Sequence, residues 1–321
     1  EAAMRTLPMA TLFYLPIAFG LPYLYEWADP ELVAKSENLQ AKSLYLNPTF
    51  ALVRAAIYFG AWNLLAFLFS SWSGEQDHKK DPNLNSRCEG ISGPALVLHV
   101  LLITFASIDW VMSLEPEWYS TIYGAMFGMG QVLSAFALAV LVLMLLADRP
   151  SISPFLSGQT MRDLGSLLLA FVMVWAYLSF SQFLLIWSGN LPEEVPWYIY
   201  RLKGGWQYAG LALVVFHFAL PFFLLLSRDV KRNRRLLGGV ALLVLVMRLV
   251  DLNWLIVPAF GHGHAAETHS SVFAGVLYLG AVVAAGGAWV WYYIRQLGKL
   301  PLVPAYNPYE EGAVHGAATQ H

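Results

Sequence analysis

Eight stretches of this chain are long and apolar enough to cross the hydrocarbon core of a bilayer, which takes roughly 20 mostly apolar residues in a helix. They run from about Thr6 to Glu26, Thr49 to Trp72, Pro94 to Leu114, Thr121 to Ala147, Met161 to Ser188, Gly204 to Ser227, Leu236 to Val257 and Val272 to Leu297. Lipid offers no partner for an open backbone group, so a spanning segment is a helix or part of a closed barrel. The alternation of barrel strands is missing from these runs. The predicted fold class is therefore an all-α integral membrane protein with eight transmembrane helices. Hydrophobic residues at 58% and charged residues at 12%, against roughly 25% charged in a soluble domain, point the same way.

Lysine and arginine divide unevenly between the two sets of connections. One set holds Arg5, Lys79, Lys80, Arg87, Arg149, Arg162, Arg228, Lys231, Arg232, Arg234, Arg235, Arg295 and Lys299, and the other only Lys35, Lys42, Arg201 and Lys203. The positive-inside rule places the first set, and with it both ends of this chain, in the cytoplasm. The basic stretch from Arg228 to Arg235 is then a topology signal in contact with lipid headgroups. A formal charge of −2 with no other basic cluster argues against a nucleic-acid partner. A single cysteine, Cys88, excludes a disulfide, a cysteine-ligated iron–sulfur cluster and a C-x-x-C-H haem attachment within the chain.

The runs are related in pairs. Gly60-Ala61-Trp62-Asn63 with Asp109-Trp110 returns as Gly204-Gly205-Trp206-Gln207 with Asn253-Trp254, and Trp62 to Trp206 and Trp110 to Trp254 are both offsets of 144 residues. Trp27 and Trp187 precede the two signatures at the looser offset of 160, the extra residues falling in the polar segment after Trp27. Paired spans run in the same direction, so the repeat is parallel, about an axis along the membrane normal. It predicts two four-helix bundles, the first lacking its first helix in this chain, and sequence ahead of Glu1. The expected organisation is a first, incomplete bundle over residues 1–120, a second bundle over 121–260, and a histidine-containing periplasmic connection with the last span and a cytoplasmic tail over 261–321.

Ionisable side chains inside a span cost at least a few kcal/mol each, so each needs a partner, a wet cavity or a task. Six qualify. At about 1.5 Å per residue, His99 and His217 fall in the cytoplasmic half, Arg248 near the midplane, Asp109 and Asp251 in the periplasmic half, and Arg54 near the periplasmic start of its span. Arg248 and Asp251 share a helical face, where they can form a self-neutralising pair. The other use of such groups is a proton relay or a quinone-proximal acid, with Ser107, Thr104, Tyr177, Ser179, Ser181, Gln182 and Gln131 as side chains able to bridge gaps through water. Two lone histidines on different helices are a weak haem-ligand signal, and hydrogen-bonded packing residues are the commoner case.

Outside the spans, Gly261-His262-Gly263-His264 with Glu267 and His269 has the spacing of a divalent-metal site, but its glycine content favours a solvated linker, and no metal ligand is assigned. Trp27, Trp118, Tyr119, Trp197 and Tyr198 cluster at the periplasmic ends of spans, as an aromatic belt does. Glu115-Pro116-Glu117 and Pro192-Glu193-Glu194 make that surface acidic, which suits a basic electron-transfer protein.

The run Ile108-Asp109-Trp110-Val111-Met112-Ser113-Leu114-Glu115-Pro116-Glu117-Trp118-Tyr119-Ser120-Thr121-Ile122-Tyr123-Gly124 resembles the ActF subunits of bacterial alternative complex III. So do His217 through Pro221 followed by Leu224-Leu225-Leu226-Ser227-Arg228, the sequence Arg248-Leu249-Val250-Asp251, and the histidine-containing connection before the last span. The resemblance implies a polytopic subunit of the NrfD-like, quinone-interacting kind, with two four-helix bundles and ten spans, of which this chain carries the last eight. It implies a bacterial inner membrane, a complex that oxidises quinol for a cytochrome c or a terminal oxidase, and three kinds of partner: an ActC-like sister subunit, an iron–sulfur subunit and c-haem subunits. No redox cofactor is expected in this chain, although quinone or quinol is a candidate ligand. The site residues carried forward are His99, Asp109, His217, Arg248 and Asp251, as proton-handling or quinone-proximal groups. Two alternatives stay open: a purely structural membrane anchor of such a complex, and a stand-alone proton-coupled transporter with its site between the repeats.

Overall fold

A computed structural model describes residues 1–79, 82–261, 272–299 and 301–303. Helices are the only regular secondary structure among the described residues, joined by turns and short loops, without a strand. The long helices are α1 (Pro48–Lys79), α2 (Pro82–Trp110), α3 (Tyr123–Leu145), α4 (Gly158–Gly189), α5 (Trp206–Leu226), α6 (Arg234–Ile256) and α7 (Val272–Leu297). Six of them, α1 to α6, are long and apolar enough to cross a membrane. The chain is a multi-pass membrane protein.

The first predicted span does not form one helix. Residues Leu7–Phe13, Leu15–Phe19 and Leu21–Leu24 make three short helices in succession. Pro8, Pro16 and Pro22 sit at or next to the start of each, where a missing N–H costs least. A similar cause shapes α5. Pro221 cannot donate to the carbonyl of His217 four residues earlier, and its ring crowds that carbonyl. The helix widens into a π-type turn over Leu213–Ala219, just before the proline, and His217 lies inside it. Elsewhere helix ends are capped by local side chains: Ser157 accepts from Thr160 N at the start of α4, and Asn233 from Arg235 N and Leu236 N at the start of α6.

The described residues divide into two compact units, one of residues 1–21, 48–79, 82–102, 272–299 and 301–303, the other of residues 22–47 and 103–261.

In the second unit α3, α4, α5 and α6 pack around one core, each helix against the next and α6 closing back on α3. Leu133, Ala137 and Val140 from α3, Leu168 and Val172 from α4, Leu225 from α5, and Leu237, Ala241 and Val244 from α6 are fully buried there. Because lipid is as apolar as leucine, this close fit contributes dispersion and packing rather than a hydrophobic drive between helices. The most enclosed helix is α6, with 39% of its spanning window buried, against 22% for α4 and α5. The least lipid-exposed helix is therefore the one that carries Arg248 and Asp251.

In the first unit the N-terminal segment lies on α1 and α7. Asn63 Nδ2 of α1 donates to Thr11 Oγ1 at 2.9 Å, and Trp289 Nε1 of α7 donates to Thr6 Oγ1 at 3.0 Å. Arg54 is buried, its guanidinium 4.4 Å from the centroid of the Phe50 ring.

Candidate functional site

One line of polar contacts crosses the interior of the four-helix bundle. Arg248 and Asp251 are each 4% exposed and form an ion pair through Nη1 and Oδ2, one turn apart on α6 as their spacing predicts. The same carboxylate oxygen accepts a hydrogen bond from Trp175 Nε1 of α4 at 3.0 Å. The edge of the Trp175 indole meets the His217 ring at 88°, with 4.2 Å between centroids. His217 is 0% exposed, and neither Nδ1 nor Nε2 has a hydrogen-bond partner among the described residues.

The fourth helix contributes clearance. Gly130 of α3 lies directly against the Arg248 guanidinium, so that any Cβ there would collide with Nη2, Cζ and Nε. What opposes a larger residue at this position is the close approach of the Arg248 guanidinium, the far end of a flexible side chain, rather than backbone conformation. Phe127, one turn earlier on α3, presents its ring 6.0 Å from Arg248 Cζ.

A neutral imidazole carries one donor and one acceptor. Leaving both unmatched in a sealed apolar interior costs several kcal/mol relative to water, so His217 is the least satisfied group of the line. Arg248 and Asp251 neutralise each other; the imidazole has no hydrogen-bond partner among the described residues.

Of the five predicted site residues, the structure joins three, with Trp175 as the link between Asp251 and His217. Asp109 is buried at the end of α2 in the same unit, where its backbone carbonyl accepts from Ser113 Oγ at 2.5 Å. His99 belongs to the other unit, half-buried, its ring 6.2 Å from that of Trp62. Among the proposed bridging side chains, Ser107 bonds back to the carbonyl of Thr104 at 2.7 Å, and Gln182 accepts from Ser120 Oγ at 2.6 Å. Tyr177 is exposed on the outside of the bundle, because two residues from buried Trp175 is more than half a turn around α4. The predicted histidine-rich connection from His262 to His269 lies outside the described residues. Among those described, no group of His, Cys, Asp and Glu side chains could hold a metal ion.

A second buried arginine of this unit was hidden from the sequence. Arg201 counts there as one of four loop cations, and Glu115 as part of an acidic surface. They are in fact each other's partners. Arg201 is 0% exposed; its Nη2 meets Glu115 Oε2 at 2.8 Å and the carbonyl of Leu255 at 2.8 Å, its Nη1 meets the carbonyl of Trp197 at 2.9 Å, and its Nε meets that of Trp254 at 3.2 Å. Its guanidinium also lies 3.6 Å from the centroid of the Trp197 ring. Trp197 stacks in turn on Trp118 at 4.8 Å and 15°. Trp254 and Leu255 carry carbonyls that the end of α6 leaves open, so Arg201 caps the helix that holds Arg248 and Asp251. The available signal was the spacing of Trp197 and Arg201, one helical turn apart in a run of aromatics. Close by, burial pushes the Tyr198 hydroxyl up from its ordinary pKa, so it stays protonated and neutral.

A comparison with protein-family models and with curated proteins found no match.

Proposed function

We propose that this chain is a membrane subunit of a quinol-oxidising respiratory complex, and that the line from Arg248 through Asp251 and Trp175 to His217 handles protons or lies beside the quinone. In this proposal the chain contributes eight of ten spans of two NrfD-like four-helix bundles related by a parallel repeat, with both of its ends on the cytoplasmic side of a bacterial inner membrane. Electrons pass through iron–sulfur and c-haem partner subunits to a cytochrome c or a terminal oxidase, and an ActC-like sister subunit stands beside it. The resemblance of the run from Ile108 to Gly124 suggests the family.

The observation that carries the chemical part is His217: a fully buried imidazole with both nitrogens open, set in a widened turn and in contact with the indole that holds Asp251. Imidazole can take a proton on one nitrogen and release one from the other, which a lone carboxylate or guanidinium cannot do in place. Widened helical turns are frequent at functional sites.

A second proposal, of a purely structural anchor, is favoured by the pairing of Arg248 with Asp251, since a self-neutralised pair needs no task beyond packing. Purification separates both from a transporter, which would come away free of iron–sulfur and haem proteins. Within an assembled complex, Asp251→Asn and Asp109→Asn decide between the other two. Quinol turnover or proton release in vesicles falls at least ten-fold if these groups carry protons, and stays unchanged if the chain is scaffold.

A further inference from the structure

Away from that line, the first unit has an open cavity of about 460 Å³ bordered by the N-terminal segment, α1 and the end of α7. Its lining is graded along the helix axis. Ser70, Ser71 and Gly74 border it in the last turns of α1 before the charged run Glu75, Asp77, His78 and Lys79, and Gln296 of α7 adjoins Arg295 in the same way. This is the level at which an apolar helix reaches lipid headgroups. Ala66 and Phe67 lie a turn deeper, with Pro8 also in the wall. Deeper still is Asn63, whose amide nitrogen already donates to Thr11 Oγ1 at 2.9 Å and to the Phe59 carbonyl at 2.8 Å.

At the polar end one hydroxyl lacks a partner and one arginine stands beside it in a single, partly exposed ion pair. Ser70 Oγ is buried with no hydrogen-bond partner among the described residues. Arg5 has one carboxylate near it, Glu1, at 3.6 Å and on the partly exposed side of the chain, and that carboxylate also accepts from Ser73 Oγ at 2.5 Å. A cation and an open hydroxyl at headgroup level, above an apolar wall, match an anion carried on an alkyl chain.

We propose that this cavity binds a phosphoglycerolipid, its phosphate held by the Arg5 guanidinium and the Ser70 hydroxyl and the start of an acyl chain laid along Phe67, Ala66 and Pro8. Free phosphate shares the polar half of this chemistry but leaves the apolar wall uncovered, and covering that wall is what a lipid adds. The volume is within the range of small-molecule sites, roughly 300–1,000 Å³, enough for the headgroup and the first part of a chain. Binding at this position ties the N-terminal segment to α1 and α7 through the ligand as well as through the Asn63 and Trp289 hydrogen bonds.

The test is native mass spectrometry on the full chain, stripped of lipid in mild detergent and titrated separately with dioctanoyl phosphatidylglycerol, dioctanoylglycerol and inorganic phosphate. Wild type should show one saturable phosphatidylglycerol and none for the uncharged diacylglycerol. Arg5→Gln should weaken it about ten-fold, the loss of one charge-assisted contact, and Arg5→Lys less. Ser71→Phe fills the mouth while leaving the cation in place and should also lose the lipid, which keeps the test open if Arg5→Gln does not fold. Lys299→Gln, a charge change at the same end outside the cavity, should have no effect. Equal binding by wild type, Arg5→Gln and Ser71→Phe overturns the proposal. So does inorganic phosphate binding as tightly as the lipid, since the site would then recognise the anion alone.

Discussion

Two arginines are buried in the second unit, and they are held in opposite ways. Arg201 sits at the end of α6 with a carboxylate, three main-chain carbonyls and the face of Trp197 around it. Arg248 sits within α6 with one carboxylate and a space cleared by Gly130. The first arrangement gives each nitrogen of the guanidinium an acceptor, although the Nε1 groups of the neighbouring Trp118 and Trp254 are buried with no hydrogen-bond partner among the described residues. The second hands its carboxylate on to Trp175, and the line ends in an imidazole with both nitrogens open. Saturated polar contacts fix a fold; an unsaturated one in an apolar interior asks for a water, a proton or a ligand. The contrast separates an arginine whose guanidinium is fully bonded from one beside an unbonded imidazole.

The largest effect should come from Arg201→Ala. It leaves Glu115 without its cation and the carbonyls of Trp254 and Leu255 without a donor, and removing one partner of such a buried pair costs about 3–5 kcal/mol. Thermal unfolding of the purified chain should show a large drop in midpoint. Arg201→Lys should recover part of it, because one ammonium cannot reach a carboxylate and three carbonyls together. If Arg201→Ala melts like wild type, the helix-end arginine is ornamental and the contrast fails.

Next comes the pair on α6. Asp251→Leu alone strands a buried guanidinium and should cost about 3–5 kcal/mol, whereas Arg248→Met with Asp251→Leu should come back close to wild-type stability, since an ion pair replaced by apolar groups of like volume is often neutral. A double variant as unstable as the single one would show that the pair itself holds the bundle, moving Arg248 into the same structural class as Arg201.

Gly130→Ala is a smaller and sharper probe. The added methyl must displace the Arg248 guanidinium, an overpacking change of about 1–3 kcal/mol. The displacement should also loosen the carboxylate that Trp175 holds, so the fluorescence of Trp175 should shift in a variant in which the other tryptophans are replaced. An unshifted spectrum with full stability would mean that Arg248 has a second place to sit.

Much of this contrast could be seen in the sequence, but unevenly. Six of the eight apolar runs are helices long and apolar enough to cross a membrane, because twenty apolar residues in a row admit few alternatives. The pair Arg248 and Asp251 was legible because its partners are three residues apart, a local spacing. The first run misled because three prolines were weighed only as apolar residues, although each removes a backbone donor. Arg201 was invisible for a different reason: its partner Glu115 is 86 residues away, and its other partners are carbonyls, which no side-chain pattern marks. Trp175 was not singled out either, since an indole in a span is commonly packing, and only its distance to Asp251 shows the hydrogen bond. Local spacing could be read; partners brought together by the packing of the bundle could not.

The smallest effect on stability, and the most informative on function, belongs to His217→Leu. The imidazole makes no hydrogen bond among the described residues, so an apolar side chain of similar size loses none and removes two open polar atoms from an apolar interior. Stability should stay within about 0.5 kcal/mol of wild type, or rise, the reverse of the ordinary cost of changing a fully buried residue. Quinol turnover of the assembled complex should nonetheless fall at least ten-fold if the imidazole passes protons. Loss of stability with His217→Leu would reveal a partner that satisfies the ring, and the line would then be closed at both ends as the Arg201 guanidinium is. Unchanged turnover with unchanged stability would leave the imidazole a filler of space, and the protons would have to move elsewhere.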